Sequence, residues 1–214
     1  MIATRTCKVD MTVFQEDPFN FVQGDEIKAR ITAANPLGEG TESFVSQTVV
    51  AQVQTVPLKP SSTVYVDQIN TNSEQIALKW NALVGEEDGG SDVLLYNVQW
   101  DQGTSEMVYS LQTTSALAYT VTSAVEGLIG GYPYQFRYRA KNKHGWGEYS
   151  ETSTFNAASI PSQVDPVVTK IENSFAKIEW EYPVDGAAEI TEYEIQIKQK
   201  DGEYRSEDYY CNGA

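Results

Sequence analysis

The sequence has a single histidine, His144, two cysteines, Cys7 and Cys211, and no run of eighteen apolar residues. One histidine in a turn, with no Ser or Cys partner at a recognisable spacing, excludes the usual nucleophile, base and metal constellations, so neither an enzymatic role nor a cofactor is expected. The missing apolar run excludes a membrane-spanning helix from this segment. The first twenty residues carry Arg5, Lys8, Asp10, Glu16 and Asp17 and lack the apolar core of a signal peptide. There is no Asn-x-Ser/Thr acceptor for N-glycans and no Arg-Gly-Asp.

Positive charge is scarce: fifteen Lys and Arg stand against thirty Asp and Glu, a formal net charge of -15. Such a surface repels a phosphate backbone, which excludes nucleic acid as a partner class. What the chain does have is apolar and aromatic material, 41% hydrophobic residues with thirteen Tyr and four Trp, enough for ordinary cores. At 214 residues it holds about two small sandwich domains.

The chain repeats itself. The block Gly24 to Gly40 matches Gly131 to Gly147 without gaps at an offset of 107. Each block has a period-two apolar run, Ile27, Ala29, Ile31, Ala33 or Tyr134, Phe136, Tyr138, Ala140, then Asn and a Gly-x-Gly turn. That pattern predicts a half-buried strand followed by a hairpin. A second pair matches elsewhere: Gln75 to Trp80 resembles Phe175 to Trp180, and Asp88 to Gln99 parallels Asp185 to Gln196 at an offset of 97. The loop between Trp and Asp is three residues longer in the first copy, a change that loops tolerate.

The blocks alternate, which predicts a tandem array met partway through a bead. Residues 1–54 are expected to carry the C-terminal half of one module, 55–156 a complete module and 157–214 the N-terminal half of another. Pro-containing joints at 55–60 and 159–166 stiffen the connections.

These residues resemble the fibronectin type III family, and the resemblance covers essentially the whole chain. In the middle stretch it rests on Trp80, Gly89, Gly90, Tyr96, Leu128, Tyr134, Ala140, Asn142 and Gly145 in the family's order and spacing. It implies an all-β fold, tandem immunoglobulin-like sandwiches of seven strands with Greek-key connections, with Trp80 and Tyr96 in the core and Tyr134 as a corner tyrosine bonding back to the preceding loop. Trp180 and Tyr193 are the matching structural positions of the last part. In the first part Ile27 replaces the corner tyrosine and Phe21 replaces Leu128, so that corner is expected to be held by packing.

Two surface features carry residue types found at binding sites. Glu86, Glu87, Asp88 and Asp92 are hard oxygen donors of the kind calcium takes, but they lack alternating ligand spacing, and a solvated loop is expected. Residues Gly145 to Ser150 bear an incomplete resemblance to the Trp-Ser-x-Trp-Ser motif of cytokine receptors. Arg137 and Arg139 point outward beside Trp146, giving a cation-π stack read as surface structure first and a protein contact second.

Placed end to end, the last and first parts bring Cys211 and Cys7 within one module, a spacing that suits a disulfide across a loop. Two situations fit: a window from a longer tandem chain, or subunits that complete each other's halves head to tail. Both predict a non-enzymatic structural or adhesive segment of an extended extracellular or surface fibre. Its expected partners are neighbouring modules, other copies of itself or another surface protein. A receptor-like ectodomain, a spacer of a secreted enzyme and, with reduced cysteines, an intracellular cytoskeletal scaffold are the alternatives.

Overall fold

A computed structural model describes residues 5–46, 50–107, 109–207 and 209–211. Parts of both expected half-modules, residues 1–4, 47–49, 208 and 212–214, lie outside the described residues. The fold is all-β with a few short helical turns. It divides into two compact units, Met1–Tyr65 with Lys79–Tyr119 and Gln135–Ser153, and Val66–Leu78 with Thr120–Tyr134 and Thr154–Ala214.

The longest strand, Pro133–Asn142, alternates strictly between buried and half-exposed residues, as a period-two apolar run requires. It runs antiparallel to Leu95–Trp100, setting Phe136 opposite Trp100, Tyr138 opposite Val98 and Ala140 opposite Tyr96. Leu95–Trp100 pairs on its other side with Tyr109–Thr114, and Gly145–Trp146 closes the far edge of this sheet. A second sheet has the order Tyr65–Val66, Gln75–Lys79, Ala118–Thr122.

In the first unit, Trp80, immediately after strand Gln75–Lys79, is 1% exposed and packs on Tyr96 and Tyr138, with ring centroids 6.3 and 6.2 Å away. Trp100 stacks on Phe136 beside them. The tyrosine hydroxyls of this core are tied down, Tyr96 accepting from Leu83 N at 3.2 Å and Tyr138 lying 3.0 Å from Ser62 Oγ, whereas Trp80 Nε1 is buried with no partner among the described residues. Burial of unpartnered hydroxyls would cost more than these bonds return in water.

The joint at 55–60 is bonded into this unit. Thr55 N donates to Gly89 O and Leu58 N to Glu87 O, while Asn142 Nδ2 donates to Thr55 O and Asp88 O. Gly89, at φ +76°, lies so close that a Cβ there would meet Thr55 O at 2.4 Å, and a Cβ on Gly147 would meet Pro57 O at 2.2 Å. Gly89 and Gly147 therefore serve the close approach of the joint to its neighbours.

The hairpin of residues 26–46 repeats the geometry of 133–153. Ala34 faces Glu39 and Asn35 faces Gly38, as Lys141 faces Trp146 and Asn142 faces Gly145. Leu37 N donates to Asn35 Oδ1 as His144 N does to Asn142 Oδ1, both at 2.8 Å. Ser43 N donates to Ile31 O and Ser43 Oγ accepts from Ile31 N, as Ser150 does with Tyr138. Ahead of it, Asp10 caps the helix Met11–Gln15, and Phe14, Phe19 and Phe21 cluster at 5.6 to 6.2 Å.

In the second unit, Leu128 is buried and the hydroxyl of buried Tyr134 accepts from Ile129 N at 2.7 Å. Val168–Glu172 and Phe175–Glu179 form a hairpin whose two-residue turn places Asn173 at φ +55°, a conformation Asn tolerates. The second joint repeats the bonds of the first: Ser159 N donates to Gly186 O and Ser162 N to Val184 O, and a Cβ on Gly186 would meet Ser159 O at 2.4 Å. Trp180 and Tyr193 pack at 5.2 Å. Among the described residues the Tyr193 hydroxyl is buried without a partner. Residue 183, in the place of Leu83, is proline and has no N–H to give.

Candidate functional site

The outward face of strand Pro133–Asn142 carries Arg137, Arg139 and Lys141 at every second residue, with Lys143 just beyond. Alternation forces this, because Phe136, Tyr138 and Ala140 take the inward positions. The aromatic rings that meet these cations come from the hairpin return. Trp146 lies on the paired strand Gly145–Trp146 and Tyr149 three residues further on.

The result is a ladder. Arg139 sits between two rings, its guanidinium carbon 4.9 Å from the Trp146 centroid and 4.4 Å from that of Tyr149. Arg137 lies on Tyr149 at 4.4 Å, and Lys141 Nζ is 5.7 Å from Trp146. Arg137 is further fixed by bonds from Nε and Nη2 to Gln99 Oε1, and from Nη2 to Met107 O. The Tyr149 hydroxyl donates to Asn97 Oδ1 at 2.6 Å, anchoring the central ring to the sheet. Burial raises the Tyr149 phenol pKa above its ordinary 10.0, against the opposing pull of Arg139 and Arg137.

Among the described residues no ion pair joins Arg137, Arg139, Lys141 or Lys143 to a carboxylate. Arg139 Nε is buried with no acceptor. A protein of formal charge -15 thus keeps a stripe of three cations on one strand, Arg137, Arg139 and Lys141, set against ring faces and, for Arg137, neutral oxygens. Stacking of this kind contributes about 0.5–2 kcal/mol per contact, more as water is excluded.

The sequence pattern identified Arg137, Arg139 and Trp146, and the structure brings Arg139 to Trp146. Arg137 instead meets Tyr149, which the pattern did not single out, nor did it single out Lys141 or Gln99. The signal for Tyr149 was present: it follows Trp146 by three residues, just past the return strand, within reach of the same arginines.

The other candidate positions lie elsewhere. Glu87 Oε1 accepts from Ser61 N and Asp88 Oδ1 from Gly90 N, so these loop carboxylates cap backbone donors. No group of three His, Cys, Asp or Glu converges among the described residues. Cys7, exposed, and Cys211, half-buried, are free thiols. His144 Nε2 lies 3.2 Å from Gln54 Oε1 at the first joint. No helix among the described residues is long and apolar enough to cross a membrane.

The family model of the fibronectin type III domain matches residues 59–156. Fibronectin type-III domain-containing protein 3a of Gallus gallus is 31% identical over 162 residues, covering 75% of this chain and 13% of that protein. The titin homolog of Caenorhabditis elegans is 24% identical over 166 residues, covering 75% of this chain and 1% of that protein. This chain therefore spans a small part of the length of the curated relatives it matches. A crystal structure of domains from titin has 26% sequence identity and a TM-score of 0.40, covering 62% of this chain and 41% of that one. Residues 59–156 are a fibronectin type III domain, and the chain belongs to the fibronectin type III family.

Proposed function

We propose that this chain is a non-enzymatic structural and adhesive segment of an extended extracellular or surface fibre built from fibronectin type III repeats. The observation that carries the reading is the pair of joints. Thr55 with Gly89 and Ser159 with Gly186 make the same bond at 2.9 Å, and in both places glycine is needed for the approach. A connection that is bonded and proline-bearing holds its neighbours at a set angle, which a load-bearing array needs and a flexible tether does not. The outer parts, 1–54 and 157–214, act in this reading as parts of adjoining modules.

The test is amide hydrogen exchange at the first joint. The Thr55 and Leu58 amides are expected to exchange as slowly as the core amides of strand Gln75–Lys79. Exchange at the rate of an open loop would overturn the reading.

The cationic ladder favours a second reading, a receptor-like protein-binding surface. Among the described residues its three cations have no carboxylate partner, and Trp146 and Tyr149 supply rigid aromatic area of the kind that dominates interfaces. A partner for it would present an acidic segment. Saturable binding of an acidic protein, abolished by reversing Arg139 and Lys141 to Glu, is the outcome that favours this reading over a purely structural ladder.

A further inference from the structure

One rung of the cationic ladder is clamped but not hydrogen-bonded. Arg137 gives Nε and Nη2 to Gln99 Oε1 and Nη2 also to Met107 O, so most of its fork is filled by neutral acceptors. Arg139, two residues on, lies between the rings of Trp146 and Tyr149, and none of its N–H groups has an acceptor among the described residues. Lys141 lies against the Trp146 face and likewise has no acceptor there. Glu148, the one carboxylate in the sequence from Arg137 to Tyr149, pairs with none of these cations among the described residues.

The clamp is built on fixed parts. The Tyr149 hydroxyl donates to Asn97 Oδ1, and Asn97 Nδ2 in turn donates to Ser110 Oγ at 2.8 Å, Thr113 Oγ1 at 3.0 Å and Gln112 O at 3.3 Å. Trp146 belongs to a paired strand, and both rings remain half-exposed. A guanidinium held between two such rings loses little freedom on binding, which removes part of the cost of association. Its planar fork matches a carboxylate through two parallel charge-assisted bonds, a geometry that an ammonium lacks.

The spacing selects the shape of the occupant. Arg139 and Lys141 share one face of strand Pro133–Asn142, about 6.7 Å apart along it. An extended peptide presents every second side chain on one face at that same interval, so carboxylates two residues apart reach both cations together. Carboxylates three residues apart point to opposite faces, and only one of the two can engage. The chain as a whole, at formal charge -15, repels an acidic segment, so recognition of one falls to this stripe.

We infer that Arg139 and Lys141 bind an extended acidic segment of a partner protein with carboxylates at every second residue, one in the Arg139 fork and the next on Lys141. This names the form of the partner for the protein-binding reading given above and rests on that reading. Arg137, with its fork already filled, adds charge without a bidentate bond.

The test is fluorescence anisotropy with the full-length chain and two labelled Thr peptides of equal charge, with Glu at every second residue in one and at every third in the other. At about 0.15 M salt the Debye length is about 8 Å, which damps repulsion from the rest of the chain. The every-second peptide is expected to bind at least about tenfold more tightly, because it makes two charged contacts instead of one. Arg139→Lys keeps the charge and removes the fork, and is expected to weaken that binding about tenfold. Lys141→Gln leaves the Arg139 clamp in place and is expected to weaken it about threefold or more, so it carries the test if Arg139→Lys does not fold. Equal binding of the two peptides, preference for the every-third peptide, binding of neither, or unchanged affinity in a folded variant would overturn the inference. Tighter binding of a sulfated oligosaccharide than of either peptide would overturn it too. If an acidic protein still binds saturably in any of these cases, and reversal of Arg139 and Lys141 to Glu abolishes it, the protein-binding reading stands without the extended segment; if none binds, both fall.

Discussion

The Tyr96 hydroxyl takes its hydrogen bond from Leu83 N, and the matching Tyr193 hydroxyl, with proline at 183, takes none. Substituting phenylalanine should separate the two sites. Tyr96→Phe leaves a buried N–H at Leu83 unpaired and is expected to destabilise by about 1–3 kcal/mol. Tyr193→Phe removes a hydroxyl that bonds nothing and is expected to be neutral or slightly stabilising. Urea unfolding of both variants, followed by tryptophan fluorescence, checks the contrast.

Tyr149 joins two arginines and Asn97, and its ring and hydroxyl can be tested apart. Tyr149→Phe keeps the stacking and loses the bond to Asn97, an expected cost of about 1 kcal/mol. Tyr149→Ala also removes both cation-π contacts and should cost about 2–4 kcal/mol in all. Thermal unfolding of the pair gives the difference.

Gly147 lies against the joint so closely that any side chain must push Pro57 away. Gly147→Ala is expected to leave the sheet of Leu95–Trp100 intact while opening residues 54–60 to protease. Limited proteolysis with mass mapping reads this out, and uncut joints in the variant would contradict the packing described.

Three phenols, Tyr96, Tyr138 and Tyr149, are held above their ordinary pKa of 10.0, in each case chiefly by burial. The unfolded chain, with ordinary phenols, therefore loses its protons first as pH rises. Stability from these groups is fully present below about pH 10 and is lost as pH climbs through the folded-state values. Urea midpoints from pH 8 upward, with phenolate absorbance recorded beside them, are expected to show stability falling as these three tyrosines ionise late.

Much of the core was readable because its signals are local and periodic. Tyr134, Phe136, Tyr138 and Ala140 alternate over a long strand, and Trp80 ends its strand in the family's order, so fold and buried face followed from spacing. The ladder was only half readable. Which ring each arginine meets depends on how the return strand lies beside Pro133–Asn142, and Tyr149 sits past the end of the regular pairing. The helix Met11–Gln15, capped by Asp10, lay outside any repeat and left no periodic trace. That Pro183 strands the Tyr193 hydroxyl required the counterpart bond to be seen in three dimensions.

Whether the joints hold under tension is read out by stretching single chains from both ends. The 55–60 joint is expected to contribute no separate extension at low force, and the 59–156 domain then to yield in one step of roughly 300–350 Å. Gradual lengthening at low force before that step would show a slack joint and contradict it.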